Sequence, residues 1–385
     1  MSLEFLVAND NGNSEQDIII NGNEIAAPNV YARVQELPSL DEVNPEYVLT
    51  HIHDNLIVSI KGALYYVGAY ALQSNQHCHS ITIGVDNDKV SSNIVYVNTL
   101  AHIAGEALAT AYAKNKDLLQ SDILPITVDM ATAIPVSYYT AKSSHAFEDK
   151  FMNQTHKVSV FVGPHEYTVA ISFRYVKCIP EGVTATHALF QRPELFTAEE
   201  SFVPQNLSKC RILHIAIGEG TTEFPLTTGI GFNPSFISGT NNGNGHAISA
   251  VLPRFKKEFG LQTITRQDFS RYIRDENHKY HADALDILQP ALDDEASDIL
   301  ITAEQVIANA NNEVDVVAVY GGGSILMRKY LEPKLAAYCK RARIQLVYID
   351  DPALAVKLEA YGLNAFLGSK TFMTLKKKHL VKQTA

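Results

Sequence analysis

A strand-turn-strand unit occurs twice in this chain, once at its start and once past its middle, and this restricts the fold more than any other feature. In the first copy the apolar run Leu3 to Ala8 ends in Asn9-Asp10-Asn11-Gly12-Asn13, and short apolar runs follow at Asp17 to Ile20 and Glu24 to Ala27. Asn21-Gly22 lies between those two runs and predicts a hairpin, because a two-residue turn needs positive φ angles that this pair adopts readily. In the second copy Ile215 to Phe224, IAIGEGTTEF, carries an apolar tetrapeptide into two glycines and two threonines, and Arg211 to Thr228 reads as strand, turn, strand. Two halves that open alike predict an internally duplicated architecture with a ligand cleft between the copies. Glycines at a strand end let backbone N–H groups turn toward an anion, and threonine hydroxyls add donors. A phosphate suits such a turn; a plain hairpin is the alternative that this segment leaves open.

Between and beyond the two units, strand and helix signals alternate. NLIVSI, Lys61-Gly62 and ALYYVGAYAL predict another hairpin, and Thr99 to Asn115 shows helical spacing at Leu100, Ile103, Leu108 and Tyr112. A strand is expected near Ile123 to Met130, a short helix around Ala146 to Met152, a hairpin through Gly163-Pro164 and a helix from Val183 to Phe190. The polar interval from Gln191 to Lys209 is the candidate crossover between domains. After the glycine loop Asn241 to Gly245, helices are expected from about Ala247 to Phe259 and over most of Arg266 to Asn311, with Pro290 starting or kinking one of them. VDVVAV then leads into YGGGSIL and a helix to Lys340, IQLVYI is a strand, Pro352 starts a further helix and Gly362 is placed to end it. Strands alternating with helices make the chain α/β.

Composition narrows the function. With 32 basic and 42 acidic side chains the net charge of the 385 residues is −10, which argues against direct binding of nucleic acid or a membrane surface. Lys376-Lys377-Lys378 with Lys382 is a local exception and reads as a solvated tail. Four widely spaced cysteines suit reduced thiols in a cytoplasmic protein, and the N-terminus shows neither the basic start nor the apolar core of a signal peptide. His77, Cys78 and His79 lack a second ligand pair at zinc-like spacing, and His51 and His53 are expected as exposed or internally satisfied strand histidines.

Three glycine-bearing turns sit at strand ends: Asp10 to Ser14, Gly218 to Thr222 and Tyr320 to Ser324. None has the spacing of a Walker P-loop or of a dinucleotide-binding turn. In this order, and at these separations, they resemble the phosphate and adenosine motifs of the actin superfamily of ATPases, and best those of bacterial plasmid-segregation actins of the ParM type. The resemblance runs through YYVGAYAL, AIPVSYY, IPEGV, the two later glycine motifs and DPALAVKLEAYGL. It implies a two-lobed actin-like fold, ribonuclease H-like and duplicated, with ATP and Mg2+ in a central nucleotide cleft. Residues 1–190 would form the first lobe, with helices in 352–385 packing back on it, and 191–351 the second.

Carried over by position, Asp10 matches the acid that holds magnesium through water and Gly12 the glycine that permits close approach, with Asn13 and Ser14 as donors to phosphate. Glu181 matches the acid that orients the attacking water, so Glu181 and Asp10 are the implied catalytic pair. Gly218, Gly220, Thr221 and Thr222 match the second phosphate turn, and Gly321, Gly322, Gly323 and Ser324 the adenosine motif. Read without the resemblance, Glu181 is a surface glutamate starting a helix. Two departures stand out: the family's phosphate-directed lysine is missing, with Asp17 near its place, and Ala216 replaces the acid that opens the second turn. Glu219 or Glu223 is available to compensate, and slow hydrolysis is expected.

The implied activity is ATP-driven, head-to-tail polymerisation that segregates plasmid DNA, with hydrolysis regulating turnover. The implied partners are further copies of the chain and a small ParR-type DNA-binding adaptor, with DNA reached only indirectly and no membrane. One alternative is a sugar- or acetate-type kinase on the same fold, with Asp129 or Glu148 as the substrate acid. Another is a nucleotide-binding filament protein with little hydrolysis, and a membrane-attached cytoskeletal actin ranks last because no amphipathic N-terminal helix is visible.

Overall fold

The computed structural model describes residues 3–40, 43–81, 89–116, 122–196, 207–240 and 243–384. Strands β1 (Leu3–Asn11), β2 (Glu15–Ile20) and β3 (Asn23–Pro28) form an antiparallel meander. β2 turns into β3 at Asn21 (φ 49) and Gly22 (φ 91), the two-residue hairpin expected from that pair. An insertion follows, made of β4 (Val30–Val34), α1 (Pro45–Thr50), β5 (Ile57–Ile60), β6 (Ala63–Val67), α2 (Gly68–Gln73) and β7 (Cys78–Ser80). Helix α3 (Asn93–Lys114) leads back to β8 (Ile123–Ile134), which lies parallel to β1. Then come α4 (Ala141–Met152), the hairpin of β9 (Thr155–Val162) and β10 (His165–Pro180), and α5 (Ala185–Phe190).

The second half repeats the opening. β11 (Arg211–Ile217), β12 (Thr222–Thr228) and β13 (Gly231–Thr240) form a meander, followed by α6 (Asn244–Phe259), α7 (Arg266–Arg274) and α8 (His281–Asn309). β14 (Val316–Tyr320), α9 (Gly322–Ala342) and β15 (Gln345–Tyr348) complete a βαβ unit beside β11. Finally α10 (Pro352–Leu367) lies on β1, β2, β8 and α5, and α11 (Lys370–Thr384) lies against β10, where Phe372 meets the Tyr175 ring at 5.2 Å.

Among the described residues there are two sheets, a 10-stranded one ordered β3-β2-β1-β8-β10-β9-β5-β6-β4-β7 and a 5-stranded one ordered β13-β12-β11-β14-β15. The first five strands of the large sheet have the order and directions of the whole small sheet: an antiparallel meander of two further strands on one side of the opening strand, two parallel strands on the other. Each half has its own apolar core. In the first, Leu100, Ile103, Ala104 and Ala107 of α3 pack on Val128 and Met130, and in the second Leu288, Leu292 and Ile299 of α8 pack with Leu331 and Phe255. Burial on this scale, at about 25 cal/mol per Å² of apolar surface, makes each half a packed unit.

Several element bounds differ from the sequence expectation. α3 begins at Asn93, where the Ser92 hydroxyl accepts the Ile94 N–H, and α4 begins at Ala141 behind a capping box of Thr140 and Ser143. Pro290 lies inside the continuous α8, and Gly362 does not end α10. A Cβ at Gly362 would sit 2.2 Å from the Thr184 carbonyl, so this glycine serves the close approach of α10 to α5. The lysine-rich end is helix α11 rather than a tail. His51 and His53 stand at the end of α1 and in the short turn after it, with His53 bonded to Glu106 and His102. The crossover interval and the glycine loop lie partly outside the described residues, at 197–206 and 241–242.

Candidate functional site

A cleft of about 1580 Å³ opens between the halves, and the turns that end β1, β11 and β14 all line it. The first turn is built on the β1/β2 ladder, in which Asp10 faces Asp17 and Asn11 faces Gln16. A Cβ at Gly12 would lie 2.6 Å from the Glu15 carbonyl oxygen, so the turn closes only around a glycine. Asn29 braces it from behind by donating from Nδ2 to the Gly12 carbonyl (2.7 Å), and Asn98 of α3 donates to Asn29 (2.7 Å).

The second turn closes with the Gly218 N–H donating to the Thr221 carbonyl (2.9 Å). The Gly218 and Glu219 carbonyls accept from the N–H groups of Asn244 and Gly245 at the start of α6 (3.3 and 2.8 Å). Gly243 is required there, since a Cβ would meet the Glu219 carbonyl oxygen at 2.4 Å. The third turn starts at Gly321 (φ 94), where a Cβ would meet the Ile217 carbonyl oxygen at 2.3 Å. These glycines press the N-terminus of α9 against the second turn and leave a cradle that side chains would fill.

Asp10, Gly12, Asn13, Ser14, Glu181, Gly218, Thr221, Gly321, Gly322 and Gly323 line the cleft; Gly220, Thr222 and Ser324 do not. Thr222 is fully buried in β12, and the Ser324 hydroxyl donates to the Gly321 carbonyl (2.7 Å) inside the first turn of α9. The two acids considered for a kinase lie elsewhere. Asp129 accepts from Arg174 and Lys376 (both 2.6 Å), and Glu148 accepts from Lys177 (2.6 Å) and the Cys178 N–H (3.0 Å).

Carboxylates crowd the cleft. Burial raises Asp10 to about 6 despite the opposing pull of Lys89, and burial with the neighbouring Asp10 charge raises Asp17 to about 8. Glu223 faces Ala216 across the β11/β12 ladder, so its side chain leaves the sheet on the same side as the alanine methyl. Neither buried oxygen of Glu223 reaches a hydrogen-bond partner at bonding geometry. Burial and then the Glu181 charge push its pKa well up, with Thr221, Lys89 and the Val136 backbone pulling back. Glu219, by contrast, is engaged by Arg266 at 2.7 Å.

Lys89 answers this charge from a buried position in the cleft. The Lys89 ammonium is 2.5 Å from Glu181, and its side chain is only 4% exposed. Burial pulls its pKa down, but Glu181, Asp10 and Glu223 outweigh that and hold it above the ordinary lysine value. No local motif marks Lys89, because its partner is 92 residues away. Glu359 of α10 also escaped the sequence reading: it accepts from the Gly182 N–H (3.0 Å) and bonds the Thr184 hydroxyl, and burial raises it to about 8. It ties α10 to the chain just past Glu181, where Tyr320 donates to the Gly182 carbonyl (3.1 Å).

Residues 8–183 match the family described as actin like proteins N terminal domain. The fold is actin-like. Actin-like protein Alp7A has a TM-score of 0.69 at 17% identity, with 100% of both chains covered. Ta0583, an archaeal actin homolog solved in complex with ADP, has 0.63 at 17% identity over 96% of this chain and 100% of its own. Bacillus thuringiensis ParM with ATP has 0.59 at 16% identity over 95% and 99%. No curated protein sequence matches the chain. The actin-like fold accounts for the paired meanders and for a cleft flanked by one turn from each. No helix among the described residues is long and apolar enough to cross a membrane.

Proposed function

We propose that the protein is an ATP-dependent, filament-forming actin-like ATPase that segregates plasmid DNA, with hydrolysis setting filament turnover. The observation that carries this reading is the convergence on one cleft of two glycine turns from opposite halves with Asp10, Lys89, Glu181 and Glu223 between them. The glycine cradle suits a polyphosphate, and the solved relatives with ADP and ATP support a nucleotide there. Asn13, Ser14 and Thr221 would donate to phosphate oxygens, and Gly321 to Gly323 would back the nucleoside. Lys89 takes the role of the missing phosphate-directed lysine, reaching the site from another part of the chain.

The acids fit a magnesium ion. Among the described residues no three histidine, cysteine or carboxylate groups converge as a closed ligand set. Magnesium typically keeps several waters and takes one or two carboxylates together with phosphate oxygens, a donor set that Asp10 and Glu223 at the cleft can supply. Asp10 and the unpartnered Glu223 are the residues that would hold it, with Glu223 compensating for Ala216. The bound ion would supply charge neutralisation to the transferring phosphoryl group. Glu181 orients the attacking water, and its contact with Lys89 fixes the carboxylate at the wall of the cleft.

Further copies of the chain, joined head to tail, are the primary partner, with a small ParR-type adaptor carrying the link to DNA in the cytoplasm. Right-angle light scattering with ATP, ADP or no nucleotide, checked by negative-stain microscopy, tests assembly. Filaments that appear with ATP and later decay are expected, whereas ATP binding with a fixed small oligomer would return the reading to the kinase. Steady-state phosphate release tests turnover: wild type should exceed Glu181→Ala, and two rates equal to the buffer blank would refute hydrolysis.

A further inference from the structure

Two helices of this chain carry charge of one sign only. Every charged side chain of α8 from Asp283 to Glu304 is a carboxylate, while α11 carries lysines and His379 and no acid. Like charges four residues apart, such as Asp294 and Asp298 or Lys378 and Lys382, work against an isolated helix. The fold answers only part of this charge. Lys334 pairs with Asp293 (2.8 Å) and Lys376 with the buried Asp129 (2.6 Å), but Asp294, Asp298, Lys377 and Lys378 form no ion pair among the described residues and are exposed.

Each helix also exposes apolar surface among these charges. On α11, Met373 (55% exposed) and Val381 (58%) flank a shallow groove of about 360 Å³ shared with Lys376, Lys377 and Leu380. On α8, Ile301 (51% exposed) follows Asp294 and Asp298 at the spacing of one helix face. One face is apolar with a lysine border and the other apolar with an aspartate border, and they lie on opposite halves of the molecule.

We propose that α11 of one copy receives α8 of a second copy, with Ile301 entering the Met373/Val381 groove and Lys377 and Lys378 meeting Asp298 and Asp294. The inference rests on the self-assembly reading above and gives it a contact. Two different surfaces of the subunit make a heterologous contact, which unlike a two-fold dimer contact leaves one face of each end free to add the next copy, as an open-ended polymer needs. A vesicle or nucleic acid bound to α11 would leave the acids of α8 unanswered, whereas a second copy answers both helices at once. Because the pairs sit at the surface, the contact weakens as salt rises.

Charge reversal of the full-length protein tests this. Pelleting and light scattering with ATP would compare wild type, Lys377→Glu/Lys378→Glu, Asp294→Lys/Asp298→Lys and the four substitutions combined. Each double reversal should raise the critical concentration by about tenfold or more, and the combined variant should recover most of that loss. Variants that all assemble like wild type, or a combination no better than either pair alone, overturn the contact while leaving assembly itself standing. Wild type that binds ATP and never polymerises overturns both readings. Loss of binding to phosphatidylserine vesicles or duplex DNA in the lysine variant, with assembly unchanged, overturns the contact in favour of that ligand.

Discussion

At the ends of β1 and β11 the chain makes turns of equal length on equivalent ladders, and the two differ in where they keep their acid. In the first half Asp10 and Asp17 face each other across β1 and β2; in the second half Ala216 stands at the first position and Glu223 at the other. Cross-strand neighbours project from the same face about 5 Å apart, so a carboxylate lost from one strand is kept in nearly the same space by its partner. The comparison shows that a motif defined along one strand misses what the ladder supplies. Read along β11 alone, Ala216 is a missing acid; read across the ladder, Glu223 stands beside it.

Equal substitutions in the two halves test that equivalence most strongly. Asp10→Asn and Glu223→Gln should each lower magnesium-dependent phosphate release by about 100-fold, the scale of removing one charge-stabilising group from a preorganised site. Tm without nucleotide should not fall for Glu223→Gln, because that variant removes a carboxylate whose charge is opposed first by burial and then by Glu181. Wild-type turnover in Glu223→Gln would break the comparison. The double change Ala216→Asp with Glu223→Ala, which moves the acid back to the opening strand, should recover part of the rate.

Lys89 marks the next difference, since the first half brings a lysine buried against Glu181 to the cleft, whereas the arginine of the second half that pairs with an acid there, Arg266, is taken up by Glu219. Lys89→Met should weaken ATP binding by about tenfold or more and ADP binding less, as read by calorimetry, and Lys89→Arg should keep part of the affinity. Equal loss for ATP and ADP would place Lys89 away from the terminal phosphate and leave it as a holder of Glu181 alone.

Local chemistry was legible in the sequence and long-range chemistry was not. Asn21-Gly22, the three glycine turns and the two meanders could be read because each depends on residues a few positions apart. Glu181 was singled out through its motif, and it lines the cleft. Lys89, Glu359 and the role of Gly362 were not, since each depends on a neighbour far along the chain: Glu181 for Lys89, Gly182 for Glu359, Thr184 for Gly362. Thr222 and Ser324 failed in the opposite way. They stand at the motif positions in sequence, but β12 buries the one and α9 uses the hydroxyl of the other for its own first turn.

The glycines that open the turns after β1 and β11 are equivalent in position and unequal in crowding. An added Cβ would meet a backbone carbonyl oxygen at 2.6 Å in the first turn and at 3.2 Å in the second. Gly12→Ala should therefore destabilise by about 1–3 kcal/mol, while Gly218→Ala costs less than about 1 kcal/mol, as read by urea unfolding. The reverse order would mean that the braced first turn is the softer of the two.

The smallest effect concerns how each half holds its partner-strand acid as pH changes. Asp17 keeps its proton up to about 8 in the folded protein, through burial first and the Asp10 charge second. In the unfolded chain an aspartate releases its proton near 4, so between about 4 and 8 the native state binds the extra proton. The unfolded state then binds fewer protons, the slope of stability against pH is negative, and the cost of the buried acid grows from nothing below 4 to its full value above 8. The slope cannot exceed about 1.4 kcal/mol per pH unit for one group. Asp17→Asn removes it, so the variant should gain on wild type as pH rises from 5 to 8, by an amount on the order of 1 kcal/mol in nucleotide-free unfolding. Glu223→Gln should show the same sign in the second half, because burial raises that acid too. A flat difference for Asp17→Asn alongside a rising one for Glu223→Gln would mean that only the second half buries a protonated acid, and the two ladders would then be alike in geometry but not in charge.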